Sequence, residues 1–243
     1  MIYFLSDLHL GLPNYQESLI RERKIVKWLD TIKHDATDIY MMGDVFEFWW
    51  EWKSVVPKYF IRFLGKLAQL SDMGIKIHYF TGNHDIWAFD YFKKELNIDV
   101  YHNPQIKIIN NKKFYLAHGD GLGPGDRSYK LMKKMFTNKF LQRIASNLFH
   151  PEAIFKLARK ISFKREALKK NPKFKQHEEW LVQYAKTMTL KENFDFFVFG
   201  HRHIPFILDI CQNSKVVVLG DWLVNFTYAQ FDGNQIELLK FQE

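Results

Sequence analysis

Phe199-Gly200-His201-Arg202-His203 closes an apolar run, Phe194 to Phe199, with two histidines one residue apart. In an extended chain, residues i and i+2 point the same way, so both imidazoles can face one centre. His-x-His alone is a weak signal. Four other apolar runs end in matching groups: Asp7-Leu8-His9, Gly43-Asp44, Gly82-Asn83-His84-Asp85 and His118-Gly119-Asp120. Taken singly, Asp7 or His9 reads as a capping or core polar residue, Asn83 as a turn residue, and Gly82 and Gly200 as ordinary loop glycines. Chance does not readily put five such motifs at five strand ends.

The surrounding pattern sets the fold class. Ile2 to Ser6 reads as a strand, Tyr15 to His34 as a helix (Leu19, Ile20, Ile25, Val26, Leu29, Ile32), and Asp38 to Met42 as a buried strand. Pro57 to Ser71 is the next helix and Ile75 to Phe80 the next strand. This alternation predicts a largely parallel sheet with polar groups gathered at the carboxyl ends of its strands. Gln105 to Ile109 and Lys113 to Ala117 then flank Asn110-Asn111-Lys112, a hairpin signal. Phe194–Phe199, Pro205–Ile210, Lys215–Leu219, Val224–Phe231 and Gln235–Phe241 make the second half mixed and antiparallel. Two sheets packed face to face, with helices outside, accommodate both halves.

Residues 127–190 interrupt this layout. Leu131, Met135, Leu141, Ile144 and Leu148 keep helical spacing, as do Ile154, Leu157, Ala158 and Ile161; Pro151 and Asn171-Pro172 divide the stretch into about three helices. It lies between two motif strands, so its base sits beside their ends. A lid or substrate-binding cap is expected.

With 243 residues, 47% apolar and 17% aromatic, the chain can bury a large core, and one domain over 1–243 is expected. A single cysteine, Cys211, excludes a disulfide framework and a Cys-based zinc site and fits a reducing compartment. Met1 to Asp7 is too short and too soon acidic for a signal peptide, and no apolar run nears transmembrane length, so a cytosolic protein is expected. The net charge of +8 is uneven: residues 127–175 hold fifteen Lys and Arg against Glu152 and Glu166, an excess of +13 that leaves the remainder at −5. Such a region is either a solvated helix face or a contact for an anionic partner: phosphate ester, nucleic acid or lipid headgroup.

Asp7, His9, Asp44, Asn83, His118, His201 and His203 together offer carboxylate, amide oxygen and imidazole, a set suited to manganese, iron or zinc. Seven groups are too many for one ion and about right for two bridged by an aspartate. Two such ions clamp the oxygens of an in-line displacement at phosphorus and generate hydroxide from water. An asparagine ligand adds no charge and keeps the site cationic enough to attract phosphate.

Asp-x-His, Gly-Asp, Gly-Asn-His-Asp, His-Gly-Asp and Gly-His-x-His, in this order from Asp7 to His203, resemble the calcineurin-like metallophosphoesterase superfamily. The resemblance implies an α/β fold, the four-layer αββα sandwich, with two divalent ions. By motif, Asp7, His9, Asp44 and His203 would hold one ion and Asp44, Asn83, His118 and His201 the other, with Asp44 bridging. His84 would be the catalytic non-ligand histidine that stabilises developing charge or protonates the leaving group, with Asp85 orienting it. Gly43-Asp44-Val45-Phe46-Glu47-Phe48-Trp49, His118-Gly119-Asp120-Gly121, Asp126-Arg127-Ser128-Tyr129, the helical insertion at about 125–190 and Leu219-Gly220-Asp221-Trp222 resemble more closely the UDP-2,3-diacylglucosamine hydrolases of lipid A biosynthesis. That resemblance implies water attack on the α-phosphate, release of UMP and the lipid monophosphate, manganese as the metal, and acyl chains held under the cap. It adds Asn83, His84, Asp126, Tyr129 and Lys164 as substrate contacts, and a protein peripheral on the inner face of the bacterial inner membrane. The chain departs from the closer pattern at His84, where proteobacterial members carry arginine, in the loop Gly121 to Asp126, and at Arg202, where threonine is common.

Other readings keep the site and change its use. Another nucleotide-sugar pyrophosphatase is one; a nuclease holding a backbone on the basic region is another, but the interleaved Leu, Ile and Phe favour a lipid over a polynucleotide. A non-catalytic scaffold of the same fold would lack some ligands, and all seven positions are filled here. Membrane contact follows from a diacyl substrate and predicts that the basic cap meets an anionic leaflet. Of Trp49, Trp50 and Trp52, at least one is expected to be buried rather than to wall the site.

Overall fold

The structure is a computed structural model that describes residues 1–123, 127–156 and 176–242. A six-stranded sheet runs β11-β10-β1-β2-β3-β4, built from β1 (Ile2–Leu5), β2 (Asp38–Met42), β3 (Lys76–Phe80), β4 (Asp99–Tyr101), β10 (Thr227–Phe231) and β11 (Ile236–Lys240). A five-stranded sheet runs β5-β6-β7-β9-β8, from β5 (Gln105–Ile109), β6 (Lys112–Ala117), β7 (Phe196–Phe199), β8 (Phe206–Asp209) and β9 (Lys215–Val218). Both are mixed: β1, β2, β3 and β4 are parallel, as are β6, β7 and β9, while β10, β11, β5 and β8 run against their neighbours.

Period-two alternation explains the layering. Ile2, Phe4, Tyr40, Met42 and Phe80 point inward and meet Phe114, Leu116, Phe196, Val198 and Val217 of the other sheet. Their neighbours Tyr3, Leu5, Ile39, Met41 and Tyr79 point outward onto Ile25, Trp28 and Leu29 of α1 (Tyr15–Ile32) and Phe63, Leu67 and Leu70 of α2 (Ile61–Asp72). On the far side, Tyr115, Phe197 and Phe199 pack on Leu181, Val182 and Ala185 of α6 (Trp180–Thr189). The expected four layers are present, and the strands are apolar on both faces because both are covered. Phe114, stacked among Phe4, Phe196 and Phe231, is one point where truncation to Ala costs about 3–5 kcal/mol.

Local chemistry corrects several boundaries. The second helix begins at Ile61, not Pro57: Phe60 is left-handed at φ 68°, and buried Glu22 of α1 accepts from the first amides of α2, Arg62 N at 2.8 Å and Phe63 N at 3.1 Å. Helix α3 (Tyr91–Leu96) and strand β4 were not foreseen, since six helical residues and three strand residues are too few to show a period. The hairpin is tight: Asn110 and Asn111 both have positive φ and join Ile109 to Lys112. The insertion breaks before Pro151 as expected and also earlier, at Thr137-Asn138. There Asn138 caps α5 (Lys139–Leu148) after α4 (Arg127–Phe136) by accepting from Phe140 N and Leu141 N. Trp49 lies in the core, whereas Trp50 and Trp87 seat the insertion, against Ala145 and Ile154.

Candidate metal centre

The strands β1, β2 and β3 of one sheet and β6, β7 and β9 of the other all end on one edge of the sandwich. The loops that follow them carry Asp7, Asp44, Asn83, His118, His201 and Asp221 close to the strand ends. Backbone bonds lock these loops together: Asp7 N to Gly43 O (3.0 Å), His9 N to Asp44 O (3.0 Å), Gly200 N to His118 O (2.9 Å) and Trp222 N to Asp7 O (3.1 Å). The last of these joins the two sheets.

The chain bends sharply to aim the side chains. Asp7, His9, Asp44, His201 and His203 all have left-handed backbones, φ 54°, 42°, 51°, 67° and 56°. Such conformations cost about 1–3 kcal/mol each where nothing compensates, and Asp and His tolerate them better than most residues. Glycines supply the room. A Cβ on Gly82 would sit 2.1 Å from Asp44 Oδ1, and one on Gly200 would sit 1.9 Å from Ser6 Oγ.

Asp7-His9-His203 form one group whose ligand atoms lie within 4.8 Å of one another; Asp44-His118-His201 form a second, and His9-Asp44-His84 a third that overlaps both. His118 Nε2 is 3.3 Å from Asp44 Oδ2, and His203 Nε2 is 3.3 Å from Asp7 Oδ1. Asp7, His9, Asp44 and His118 are buried. Asp7 Oδ1, His9 Nε2, Asn83 Oδ1 and His118 Nε2 are buried atoms with no hydrogen-bond partner. Orphaned carboxylate, amide and imidazole atoms are costly to bury unless a cation takes their lone pairs, so these donors fit divalent metal ions.

The opposite side of each ring is held. His9 Nδ1 bonds Glu47 Oε2 at 2.7 Å, His118 Nδ1 bonds the Met42 carbonyl at 2.8 Å, and His203 Nδ1 lies 3.5 Å from Asp221 Oδ2. Asp221 is itself fixed, Oδ1 accepting from Leu223 N, Val224 N and Asn225 N. Ser6 Oγ (2.6 Å) and His201 N (2.8 Å) donate to Asp7 Oδ2, and His84 N donates to Asp44 Oδ1 at 3.0 Å. Partners of this kind set ring orientation and tautomer, leaving Nε2 for the metal.

The expected orienting role of Asp85 is not what the geometry provides. Its buried carboxylate accepts from Val45 N (2.8 Å), Tyr79 Oη (2.5 Å) and Gly82 N (2.7 Å), building the Asn83 loop from behind. His84 is held by Glu47 instead, Nδ1 lying 3.1 Å from its carbonyl and 3.2 Å from Oε1. Glu47 thus bridges two rings, and neither it, Ser6 nor Asp221 was singled out for this. The signal available was a carboxylate three residues after Asp44 inside an otherwise aromatic turn. Asp126 and Lys164 lie outside the described residues, and Tyr129 belongs to α4.

The electrostatics are set by buried carboxylates facing buried imidazoles. Burial opposes charge on Asp7 and Asp44, yet His203 and His9 around the first and His118 and His84 around the second hold both carboxyls well below the usual range. Burial likewise opposes protonation of His9 and His118. Asp7 and Glu47 in one case, Asp44 in the other, overcome it and push both imidazoles up to about 10. Burial and the neighbouring His118 charge press His201 down to about 4.

Residues 1–205 match the family described as calcineurin-like phosphoesterase. The chain belongs to that family. A UDP-2,3-diacylglucosamine hydrolase of Porphyromonas gingivalis (strain ATCC BAA-308 / W83) is 38% identical, the match covering 100% of this chain and 98% of that protein. Proteins of the same name from Haemophilus influenzae (strain KW20 / Rd) and Ectopseudomonas mendocina (strain ymp) are 27% and 28% identical, covering 92% and 100% of this phosphoesterase and 91% and 98% of their own lengths. The family is one of metal-dependent hydrolases, and the orphaned donors of this phosphoesterase suit that chemistry.

Proposed function

We propose that this phosphoesterase hydrolyses the pyrophosphate bond of UDP-2,3-diacylglucosamine to UMP and 2,3-diacylglucosamine 1-phosphate. The observation that carries the substrate is an apolar cleft of 260 Å³ beside the metal centre. The body contributes Leu10, Phe48, Val55 and Phe60, and the insertion contributes Pro151 and Phe155. Glu47 lines this cleft and also holds His9 and His84. A larger cavity of 750 Å³, by Phe89, Lys94 and Arg143, shares Trp52 with the cleft but no residue of the centre. An acyl chain fits the cleft's lining, and a phosphate fits what lies at its end.

In this reading Asp7, His9, Asp44 and His203 would hold one divalent ion and Asp44, Asn83, His118 and His201 the other, with manganese first and iron or zinc as alternatives. When bound, the ions supply an activated water and neutralise phosphate charge. The chain's own residues do the rest. Asp44, fixed by His84 N, groups with His118 and His201 on one side and with His9 and His84 on the other, which suits the bridging place it has in this reading. Asn83 Oδ1 adds a neutral donor. Burial opposes charge on His84, but Asp44 and Glu47 raise its pKa, so with Nδ1 on Glu47 it can offer its other nitrogen to a phosphoryl or leaving-group oxygen. Asp126, Tyr129 and Lys164 are proposed for the remaining substrate contacts, and Asp85 supports the loop. The chain is one domain bearing a helical insertion.

Membrane contact belongs to the same proposal. Leu131, Phe140, Leu148 and Phe149 of the insertion are exposed beside Lys134 and Arg143, a pairing suited to an anionic leaflet, and no described helix is long and apolar enough to cross a membrane. Failure to co-sediment with anionic vesicles at low salt would remove this part. For the activity, the manganese-loaded protein is incubated with UDP-2,3-diacylglucosamine and UMP is quantified. UMP release is expected; turnover of small generic phosphoesters alone would sink the substrate assignment.

A further inference from the structure

The insertion is tied to the centre at both of its ends. On the near side, Lys133 of α4 reaches back to buried Asp120, Nζ to Oδ2 at 2.6 Å. Asp120 is two residues beyond His118. On the far side, buried Glu179 pairs with the Arg202 guanidinium: Nη2 donates to Oε2 at 2.9 Å, and Nε lies 2.7 Å from Oε1 as a charge contact. Arg202 stands between His201 and His203. Glu179 occupies the N-cap of α6 yet makes no side-chain cap bond, which a Ser or Asp there would do; its carboxylate is committed to Arg202 instead. The next residue, Trp180, puts its ring 6.2 Å from that of His201.

The two pairs have opposite polarity: the near one joins an insertion lysine to a body aspartate, the far one a glutamate before α6 to a body arginine. Both land on the loops that carry His118 and His201, which are joined by the Gly200 N to His118 O bond. Ordinary surface ion pairs contribute little, but these bury one carboxylate each and so fix geometry.

We propose that Lys133–Asp120 and Glu179–Arg202 are paired anchors that hold the insertion in register with the His118–His201 side of the centre, and that these four are positioning residues for a substrate gripped between insertion and body. This rests on the function proposed above. Arginine at position 202 brings two guanidinium nitrogens up to the Glu179 carboxylate, which a single ammonium cannot do.

The test uses the insertion-side partner of each pair in the full, metal-loaded chain. Lys133→Met and Glu179→Gln are compared with the conservative Lys133→Arg for kcat and KM on UDP-2,3-diacylglucosamine and on bis(p-nitrophenyl) phosphate. The latter is too small to need the insertion. Amide hydrogen exchange of α4 and the first turn of α6, and metal content, are measured alongside. The expected result is a drop of about tenfold in the ratio of lipid to generic kcat/KM for each disrupting variant, with exchange faster in the adjoining helix, metal content retained and Lys133→Arg near wild type. Equal losses on both substrates, or loss of metal, would show that the pairs serve the centre itself and overturn the proposal. Unchanged ratios would do the same. If the wild-type chain fails on the lipid, the proposed function fails, and the exchange rates alone decide the anchors: acceleration in α4 and α6 supports them, no change refutes them.

Discussion

Glu47→Gln isolates the residue that joins the centre to the cleft. The substitution keeps size and shape, so the packing around a side chain only 9% exposed is preserved. What changes is chemistry. Glu47 Oε2 bonds His9 Nδ1 and Oε1 sets its charge 3.2 Å from His84 Nδ1, whereas glutamine has one neutral oxygen and an amide that would face an imidazole N–H. His84 keeps a second acceptor, the Glu47 carbonyl at 3.1 Å, so the glutamine oxygen is expected to turn to His9. The net loss is the carboxylate charge beside His84 and a weakened bond to His9. A hydrogen bond to a charged group contributes about 1.5–3 kcal/mol, and losing such an outer partner of a metal-bound histidine costs about 10–100-fold in affinity or rate. The expected outcome is a fall in kcat/KM and in manganese affinity within that range, with the thermal midpoint of the metal-free protein little moved. Steady-state kinetics on any accepted phosphoester and a metal titration measure it. Values within about threefold of wild type on both would refute the role argued for Glu47.

Three other outcomes follow from the same geometry. Asp44→Asn keeps a residue tolerant of the φ of 51° but removes the charge that faces His118 and His201 on one side and His9 and His84 on the other, so turnover is expected to vanish and metal content to drop while far-ultraviolet dichroism is unchanged. Gly200→Ala drives a Cβ to 1.9 Å from Ser6 Oγ and 2.7 Å from Asp7 Oδ2, both buried; overpacking and loss of the Ser6–Asp7 bond together cost about 3–5 kcal/mol, read as a lower urea midpoint. In the metal-free chain His9 and His118 hold protons up to about 10, so loading metal at neutral pH should release about two protons and retention should weaken as pH falls, seen by calorimetry in buffers of different ionisation enthalpy. Without metal the sign reverses: these imidazoles stabilise the fold below about 6.5, and that contribution is lost as pH rises through about 10.

The clustering of Asp7, His9, Asp44, His118, His201 and His203 was legible because their motifs follow apolar strands, with a glycine beside Asp44, His118 and His201, and because the order of strand ends survives in the sequence. The layers were legible for the same reason: Phe4 and Tyr3 alternate, and so do Met42 and Met41. Outer partners were not. Glu47 and Asp221 belong to the centre only through contacts 38 and 18 residues distant in the chain. Nothing local distinguishes Asp221 from other acids, and the one local mark of Glu47 is its place in the aromatic turn after Asp44. Asp85 was misjudged because adjacency to His84 suggested contact, whereas consecutive residues in a turn point apart and this one faces the core beneath Gly82. The left-handed backbones of Asp7, His9, Asp44, His201 and His203 could not be read either, since non-glycine residues carry no mark of positive φ. Nor could the start of α2, which depends on Glu22 arriving from another helix.

The most direct test of the central claim is hydrolysis of UDP-2,3-diacylglucosamine by the manganese-loaded protein in ¹⁸O-enriched water, with both products weighed by mass spectrometry. The account predicts UMP carrying one heavy oxygen and an unlabelled lipid monophosphate. Label in the lipid monophosphate, or no UMP from a protein that retains its metal, would contradict it.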